Sequence, residues 1–276
     1  MPDIDAVESH YSHGELLKAI QVGVRQLGKS PDTVSVEDLA PVDEFHIGGR
    51  TATETFLDQL DLAADDDVLD VGCGLGGASR FAAKRYGCRV TGIDLTDDYV
   101  RTGEVLCEWV GLDDLISLER GDATATPYTD GAFDKSYMMH VGMNIADKRS
   151  LAMEMYRILQ PGGRLGVYDV MRVGNGSLRF PVPWATTPAE SQVSTPEVYR
   201  DVLEAVGFHI VAECDRSEFA MEFFTQLQAR TTDGEDSPLG LQLLMGDSAS
   251  AKVRNMIENV SKGRVAPFEI IVEKPE

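Results

Sequence analysis

Apolar positions along the chain switch repeatedly between two spacings. In some runs they are contiguous or alternate; in others they return every three to four residues. The short runs at 68–71 (Val68-Leu69-Asp70-Val71), 89–95, 115–118, 133–139, 164–170, 208–214 and 265–272 predict seven strands. Helical spacing lies between them. A helix over 79–86 stops at Gly87, and one over 97–110 takes Thr96 as its N-cap. A third, over 148–159, ends at Pro161-Gly162-Gly163, and a fourth, over 196–206, has Thr195 as cap and Pro196 in its first turn. Such alternation predicts a doubly wound α/β fold, a mostly parallel sheet with helices on both faces.

Two stretches break the rhythm. Residues 15–27 carry Leu16, Leu17, Ile20, Val24 and Leu27 as one apolar stripe, so residues 1–45 read as an N-terminal helical lid or cap on a domain spanning 46–276. Residues 172–188 are rich in Gly, Pro and Thr and read as a long loop, a kind that in compact domains usually carries function. Together with helical stretches before the last strand, this predicts substrate-side insertions near 172–190 and 217–262.

Composition narrows the function. The chain has 276 residues and is 43% apolar, enough for a full core, without an uninterrupted apolar run of membrane-spanning length. Its acidic start lacks the layout of a signal peptide, which predicts a cytoplasmic protein. The net charge of −21, from 46 acidic and 25 basic residues, argues against nucleic-acid and anionic-membrane partners. It fits solubility or attraction of a cationic amine. The cysteines Cys73, Cys88, Cys107 and Cys214 show neither disulfide nor zinc spacing, and His10 and His13 have no supporting ligands, so no metal is expected. Oligomeric state is not legible.

The strongest chemical signal is Asp70-Val71-Gly72-Cys73-Gly74-Leu75-Gly76-Gly77, where the first strand turns into a helix. Glycines there let a ligand approach the backbone, and the following helix offers free N–H groups. Asp94 ends the second strand, where a carboxylate can accept both hydroxyls of an adenosine ribose. Gly72, Gly74 and Gly77 also fit Gly-x-Gly-x-x-Gly, which keeps a nicotinamide-dependent oxidoreductase open. Three features count against it. Asp70 would repel a pyrophosphate but welcome an amino group. Gly121-Asp122-Ala123 adds a second acidic tip, suited to an adenine amino group. And the glycine loop starts far into the chain, whereas dinucleotide domains often start near its beginning. A module that binds cofactor without turnover is a further alternative.

The string at 68–77, with Asp94, Gly121-Asp122 and Leu159-Gln160-Pro161-Gly162-Gly163 in order, resembles class I S-adenosylmethionine-dependent methyltransferases over roughly residues 45–172. Within that class it is similar to small-molecule enzymes such as sarcosine/dimethylglycine N-methyltransferases and ubiquinone/menaquinone C-methyltransferases. The resemblance implies a Rossmann-like methyltransferase fold and S-adenosyl-L-methionine as cofactor, with S-adenosyl-L-homocysteine as product. It implies that Asp70, Gly72, Cys73, Gly74 and Gly76 hold the methionine part. Asp94 would take the ribose, Leu95 the adenine face, and Asp122 with Ala123 the adenine amino group. His140, after the fourth strand, would face cofactor and acceptor together and is the catalytic candidate. Phe45-His46-Ile47-Gly48-Gly49-Arg50 resembles a loop that closes against the methionine end.

A sulfonium methyl is already activated, so the protein mainly positions the acceptor, and a base is needed only where the acceptor must lose a proton. Candidate acceptor contacts are Tyr11, His13, His46, Asn144, Asp169 and Trp184; the alternatives are a surface segment for Tyr11 and His13, a turn or cap for Asn144 and a loop anchor for Trp184. The expected reaction is methyl transfer to a small molecule, led by an amine nitrogen, with C- or O-methylation of a quinol, phenol or isoprenoid-type acceptor as the alternative.

Overall fold

The computed structural model describes residues 15–232 and 237–276, of which 230–232 are described for the backbone only. Tyr11 and His13 lie outside the described residues. Seven strands form one sheet in the order β3-β2-β1-β4-β5-β7-β6. They are β1 (Asp67–Val71), β2 (Arg89–Asp94), β3 (Ile116–Arg120), β4 (Phe133–Met139), β5 (Leu159–Arg172), β6 (His209–Asp215) and β7 (Val265–Glu273). The first five run parallel, and β7 lies antiparallel between β5 and β6.

Period-two alternation sends successive side chains into two cores. Leu69, Val71, Met138, Leu165 and Val167 pack on one face against helices α6 (Lys148–Ile158) and α7 (Pro196–Val206). Val68, Val90, Tyr137 and Tyr168 pack on the other, against α3 (Gly49–Leu57), α4 (Gly77–Tyr86) and α5 (Asp97–Trp109). β1 and β4 are central and covered on both faces, so Val68–Val71 and Ser136–Met139 are buried throughout, with Asp70 and Ser136 as polar members of otherwise apolar segments.

The N-terminal stripe forms α1 (Leu16–Gln26). With α2 (Val36–Asp43) it packs on Leu75, Tyr99 and Leu106, burying Ile20, Leu39 and Val42 completely. Ser35 starts α2 with a capping box shared with Asp38. A fourth apolar cluster joins Ile47, Met143, Val170 and Trp184 to helix α8 (Ser217–Thr232) and, beyond the short α9 (Gln242–Met245), to helix α10 (Ala249–Ser261).

Two local expectations change, and one edge of the sheet is open to solvent. Pro161-Gly162-Gly163 does not separate helix from strand: α6 stops at Ile158, and β5 runs from Leu159 through the three breakers. They form a bulge, marked by the register shift between Phe133 and Lys135, with Gly162 at φ +76° donating to the Lys274 carbonyl at 2.8 Å. Thr96 occupies the N-cap position of α5 without a side-chain cap; its N–H instead donates to Asp94 Oδ1 at 2.8 Å. And β6 is an edge strand exposed at nearly every position, with Val211 about half exposed.

Candidate active site

The carboxyl ends of the parallel strands bring the sequence-predicted residues together, as open α/β sheets do for their ligands. Asp70 ends nearly buried in β1 and accepts from Ser79 Oγ at 2.6 Å. Burial pushes its carboxyl up to about 7, with nearby Asp94 adding to the rise. Among the described residues no cation pairs with this buried carboxyl, and an α-ammonium group would complete it.

The glycine loop follows. Gly72 (φ +70°) and Cys73 both donate to the Ile93 carbonyl, at 2.7 and 3.0 Å, clipping the loop to the end of β2. A Cβ on Gly72 would lie 2.4 Å from Val141, so the close packing there excludes a side chain. Gly74 (φ +54°) faces open space on the same loop. Cys73 is buried and its thiol is raised by burial and by Asp70 and Asp94, so it packs rather than reacts.

Asp94 is fixed from both sides. Gly74 N–H donates to its Oδ2 at 3.0 Å and Thr96 N–H to its Oδ1 at 2.8 Å. Burial raises its carboxyl despite these donors. Each oxygen keeps a lone pair for a ligand hydroxyl. Gly121 N–H donates to the Asp94 carbonyl at 3.0 Å, which sets the β3 tip beside the β2 tip. There Asp122 Oδ1 accepts from Thr124 N and Oγ1, at 2.8 and 2.7 Å, next to buried Ala123 and half-buried Leu95.

His140 lies just past β4 in the left-handed region at φ +58°, rare for a residue with a side chain. Its N–H donates to the Tyr168 carbonyl at 2.7 Å, and its ring tilts over Tyr168 with centroids 5.0 Å apart. The His46 ring stands edge-on at 6.0 Å. Nε2 of His140 is buried without a hydrogen-bond partner among the described residues, and burial, helped by His46, holds the imidazole well below its usual range. Burial therefore favours the neutral ring.

His46 sits in a polar knot. Its Nε2 lies 3.0 Å from Thr53 Oγ1, 3.2 Å from the Gly49 carbonyl and 3.3 Å from Glu44 Oε2. Arg50 pairs with Glu44 at 2.9 Å, and Thr53 donates to the same carboxylate. Burial lifts Glu44 to about 7 and drops His46 to about 4. The Tyr168 hydroxyl donates to the Ile47 carbonyl at 2.9 Å, pinning this loop over the edge of the sheet.

Of the remaining candidates, Asn144 lies in the turn after His140, its N–H on the Val141 carbonyl. Asp169 is fully buried and accepts from the Tyr199 hydroxyl, so its side chain supports the turn at Gly142 rather than opening to the edge. Trp184 is buried, its indole donating to Ser191 Oγ at 2.9 Å. It belongs to the apolar cluster that includes Ile47, Met143 and Val170.

The structure adds residues that pattern reading misses. Arg80 is fully buried and pairs with Asp43, while its guanidinium also donates to the Leu75 carbonyl at 2.7 Å. This pair ties α2 to the glycine loop, and Gly77 is needed because a Cβ there would meet the Asp43 carbonyl at 2.5 Å. A single arginine among Ala82, Ala83 and Phe81 was the available signal. Lys148 is likewise buried, donating to the Gly142 carbonyl at 2.8 Å, to that of Ile145, and to Gln192 at 3.0 Å.

A parallel sheet with a glycine loop after β1 and carboxylates on the next two strand tips defines an adenosine-type binding domain. Residues 69–167 match the methyltransferase domain family, and that segment of the chain is a methyltransferase domain with the Rossmann-like fold. The chain is 32% identical over 157 residues to methyltransferase GfsG of Streptomyces halstedii, covering 57% of this chain and 54% of that protein. It is 34% identical over 185 residues to phosphoethanolamine N-methyltransferase 1 of Zea mays, covering 66% and 35%. The chain thus spans about half or less of the length of these curated relatives. Geranyl diphosphate C-methyltransferase from Streptomyces coelicolor shares the fold across 99% of this chain and 98% of its own, with TM-score 0.71 and 19% identity. Among the described residues no helix is long and apolar enough to cross a membrane, and no group of three His, Cys, Asp or Glu gathers as for a metal.

Proposed function

We propose that this chain transfers a methyl group from S-adenosyl-L-methionine to a small-molecule acceptor. The observation that carries the reading is Asp94, held by Gly74 and Thr96 N–H groups at the tip of β2 so that it faces the glycine loop. In this reading Asp94 takes the ribose hydroxyls, Asp122 the adenine amino group beside Leu95 and Ala123, and Asp70 the α-ammonium over Gly72, Cys73, Gly74 and Gly76. When bound, the cofactor supplies an electrophilic methyl on a sulfonium.

The chain's own part is positioning and proton handling. Neutral His140 takes a proton from a protic acceptor, a hydroxyl or an ammonium, and needs to do nothing for a tertiary amine. His46, Asn144 and Trp184 are the acceptor contacts, Tyr11 and His13, outside the described residues, are further candidates, and Asp169 supports the turn. Residues 1–45 act as the cap of the site, and 172–190 and 217–262 as its acceptor-side walls. An amine nitrogen leads as acceptor atom, with carbon and oxygen as alternatives. The acidic chain suits a cytoplasmic enzyme without nucleic-acid or membrane partners.

The test is incubation of the purified protein with methyl-deuterated S-adenosylmethionine and a metabolite extract, read by mass spectrometry. A protein-dependent labelled product supports the reading, and its fragments place the methyl on N, O or C. Tight NADH binding with no S-adenosylhomocysteine binding in calorimetry would overturn it.

A further inference from the structure

The chain's negative charge is not spread evenly. Residues 172–192 and 249–264 carry Arg172, Arg179, Lys252, Arg254, Lys262 and Arg264 against only Glu190 and Glu258, a local excess of four positive charges on a chain of −21. The two stretches are held together. Asn259 exchanges bonds of 2.9 Å with the Arg179 backbone, and Asn255 Nδ2 donates to the Pro181 carbonyl at 2.9 Å. Glu258 pairs with Arg179 and lies 3.6 Å from Arg264. Arg172 is different: its Nη1 meets only the Gly174 and Gly176 carbonyls, at 3.3 and 2.8 Å, and among the described residues no carboxylate pairs with it.

Arg172 lines a recess of about 240 Å³ together with Ser177, Leu178, Phe180, Ser191 and Val193. One guanidinium and two hydroxyls thus sit among apolar walls, the make-up of a small-molecule subsite. The recess adjoins the acceptor side directly. Ser191 holds the Trp184 indole, and Gln192 N–H donates to the carbonyl of Met143, three residues past His140. Tyr168, Val170 and Arg172 share one face of β5, and Tyr168 carries the His140 ring. Four residues of strand put Arg172 roughly 13 Å beyond that ring.

We propose that this recess binds the far end of the acceptor, and that the acceptor bears an anionic group, carboxylate or phosphate, on an apolar body reaching back to His140. The proposal rests on the methyl-transfer reading for the His140 end. It makes the acceptor amphipathic and anionic, whatever atom receives the methyl, and places the specificity for that charge on Arg172.

The experiment uses the full chain saturated with S-adenosylhomocysteine. It is titrated with 4-phenylbutyrate, 4-phenylbutyl phosphate, 4-phenylbutanol and 4-phenylbutylamine while the Trp184 indole N–H is followed by NMR. The expected result is that an anionic probe moves that resonance and binds at least tenfold more tightly than the alcohol and the amine. The tighter of the two anions identifies the group. Arg172→Gln removes the preference and Arg172→Lys keeps part of it, with the Trp184 resonance of both free variants unmoved as the check on folding. Equal binding of acid and alcohol, or a preference that survives Arg172→Gln, overturns the proposal. Calorimetry with S-adenosylhomocysteine separates the two claims. An Arg172-dependent anion preference in a chain that does not bind S-adenosylhomocysteine sinks the methyl-transfer reading and leaves the subsite standing.

Discussion

The two ends of the sheet solve different problems. On the β3-β2-β1-β4 side the functional groups are fixed by backbone N–H donors between neighbouring strand tips: Gly72 and Cys73 on the Ile93 carbonyl, Gly74 and Thr96 on the Asp94 carboxylate, Gly121 on the Asp94 carbonyl. On the β5-β7-β6 side the walls come from distant segments, Ile47, Met143, Trp184, Phe224 and Met256, held mainly by apolar contact. The first construction suits a ligand that never varies. The second can be rebuilt by changing loop residues, which is how one cofactor domain serves many acceptors.

That contrast is most sharply tested by the buried Arg80–Asp43 pair beneath the glycine loop. Asp43→Ala leaves a guanidinium buried without its carboxylate and is expected to cost about 3–5 kcal/mol of unfolding free energy in denaturant titration. Arg179→Ala, which removes a half-exposed pair with Glu258 on the acceptor side, should cost less than about 1 kcal/mol. Comparable losses from the two would break the comparison.

Asp70 comes next. Its folded carboxyl stands at about 7, above the ordinary aspartate value of 3.8. A carboxyl raised in this way favours the fold while protonated, in full below its unfolded value, and that contribution is lost as pH rises through about 7. The cofactor-free protein should therefore lose stability between about pH 4 and 7, by at most about 1.4 kcal/mol per unit. Asp70→Asn should flatten that slope in melting scans and be more stable than wild type above pH 7. An α-ammonium partner requires the ionised form, so S-adenosylhomocysteine affinity of the wild type should rise from pH 6 to 8. Calorimetry showing no pH dependence over that range would remove Asp70 from the methionine end.

Much of the cofactor half is legible in sequence because local rules decide it. Short β-rich runs bounded by turn residues mark the strands, and glycine spacing with a carboxylate about twenty residues on specifies one turn and one strand tip. The fourth strand agrees at both ends with its periodicity, 133–139. What fails is tertiary. Pro161-Gly162-Gly163 breaks a helix by propensity, yet the β7 backbone satisfies Gly162 and carries the chain on as a bulged strand. Glu44, Thr53 and Lys148 gain their roles from partners that no local window contains. Asp169 shows the same limit: its place at a strand end suggested an open edge, and α7 covers it with Tyr199.

A smaller effect refines the cofactor half. Asp94→Ala removes the proposed acceptor for two ribose hydroxyls and also releases the Gly74 and Thr96 N–H groups. S-adenosylhomocysteine affinity should fall by about 1–3 kcal/mol, roughly 5- to 150-fold. An unchanged dissociation constant would move the ribose elsewhere.

The smallest expected energy sits where the two halves meet. His140 holds φ +58°, which costs a residue with a Cβ about 1–2 kcal/mol that glycine does not bear. His140→Gly and His140→Ala remove the same imidazole, but only glycine relieves the backbone, so the glycine variant should be the more stable of the two by about 1 kcal/mol. Both should bind S-adenosylhomocysteine within twofold of wild type, because Asp70, Asp94 and the glycine loop are untouched, and both should lose most turnover. Equal stability would mean that the turn after β4 relaxes in the variants and that the ring contacts with Tyr168 and His46 impose the strain. Full turnover in either would leave the imidazole a packing role and turn the acceptor toward an atom that has no proton to give up.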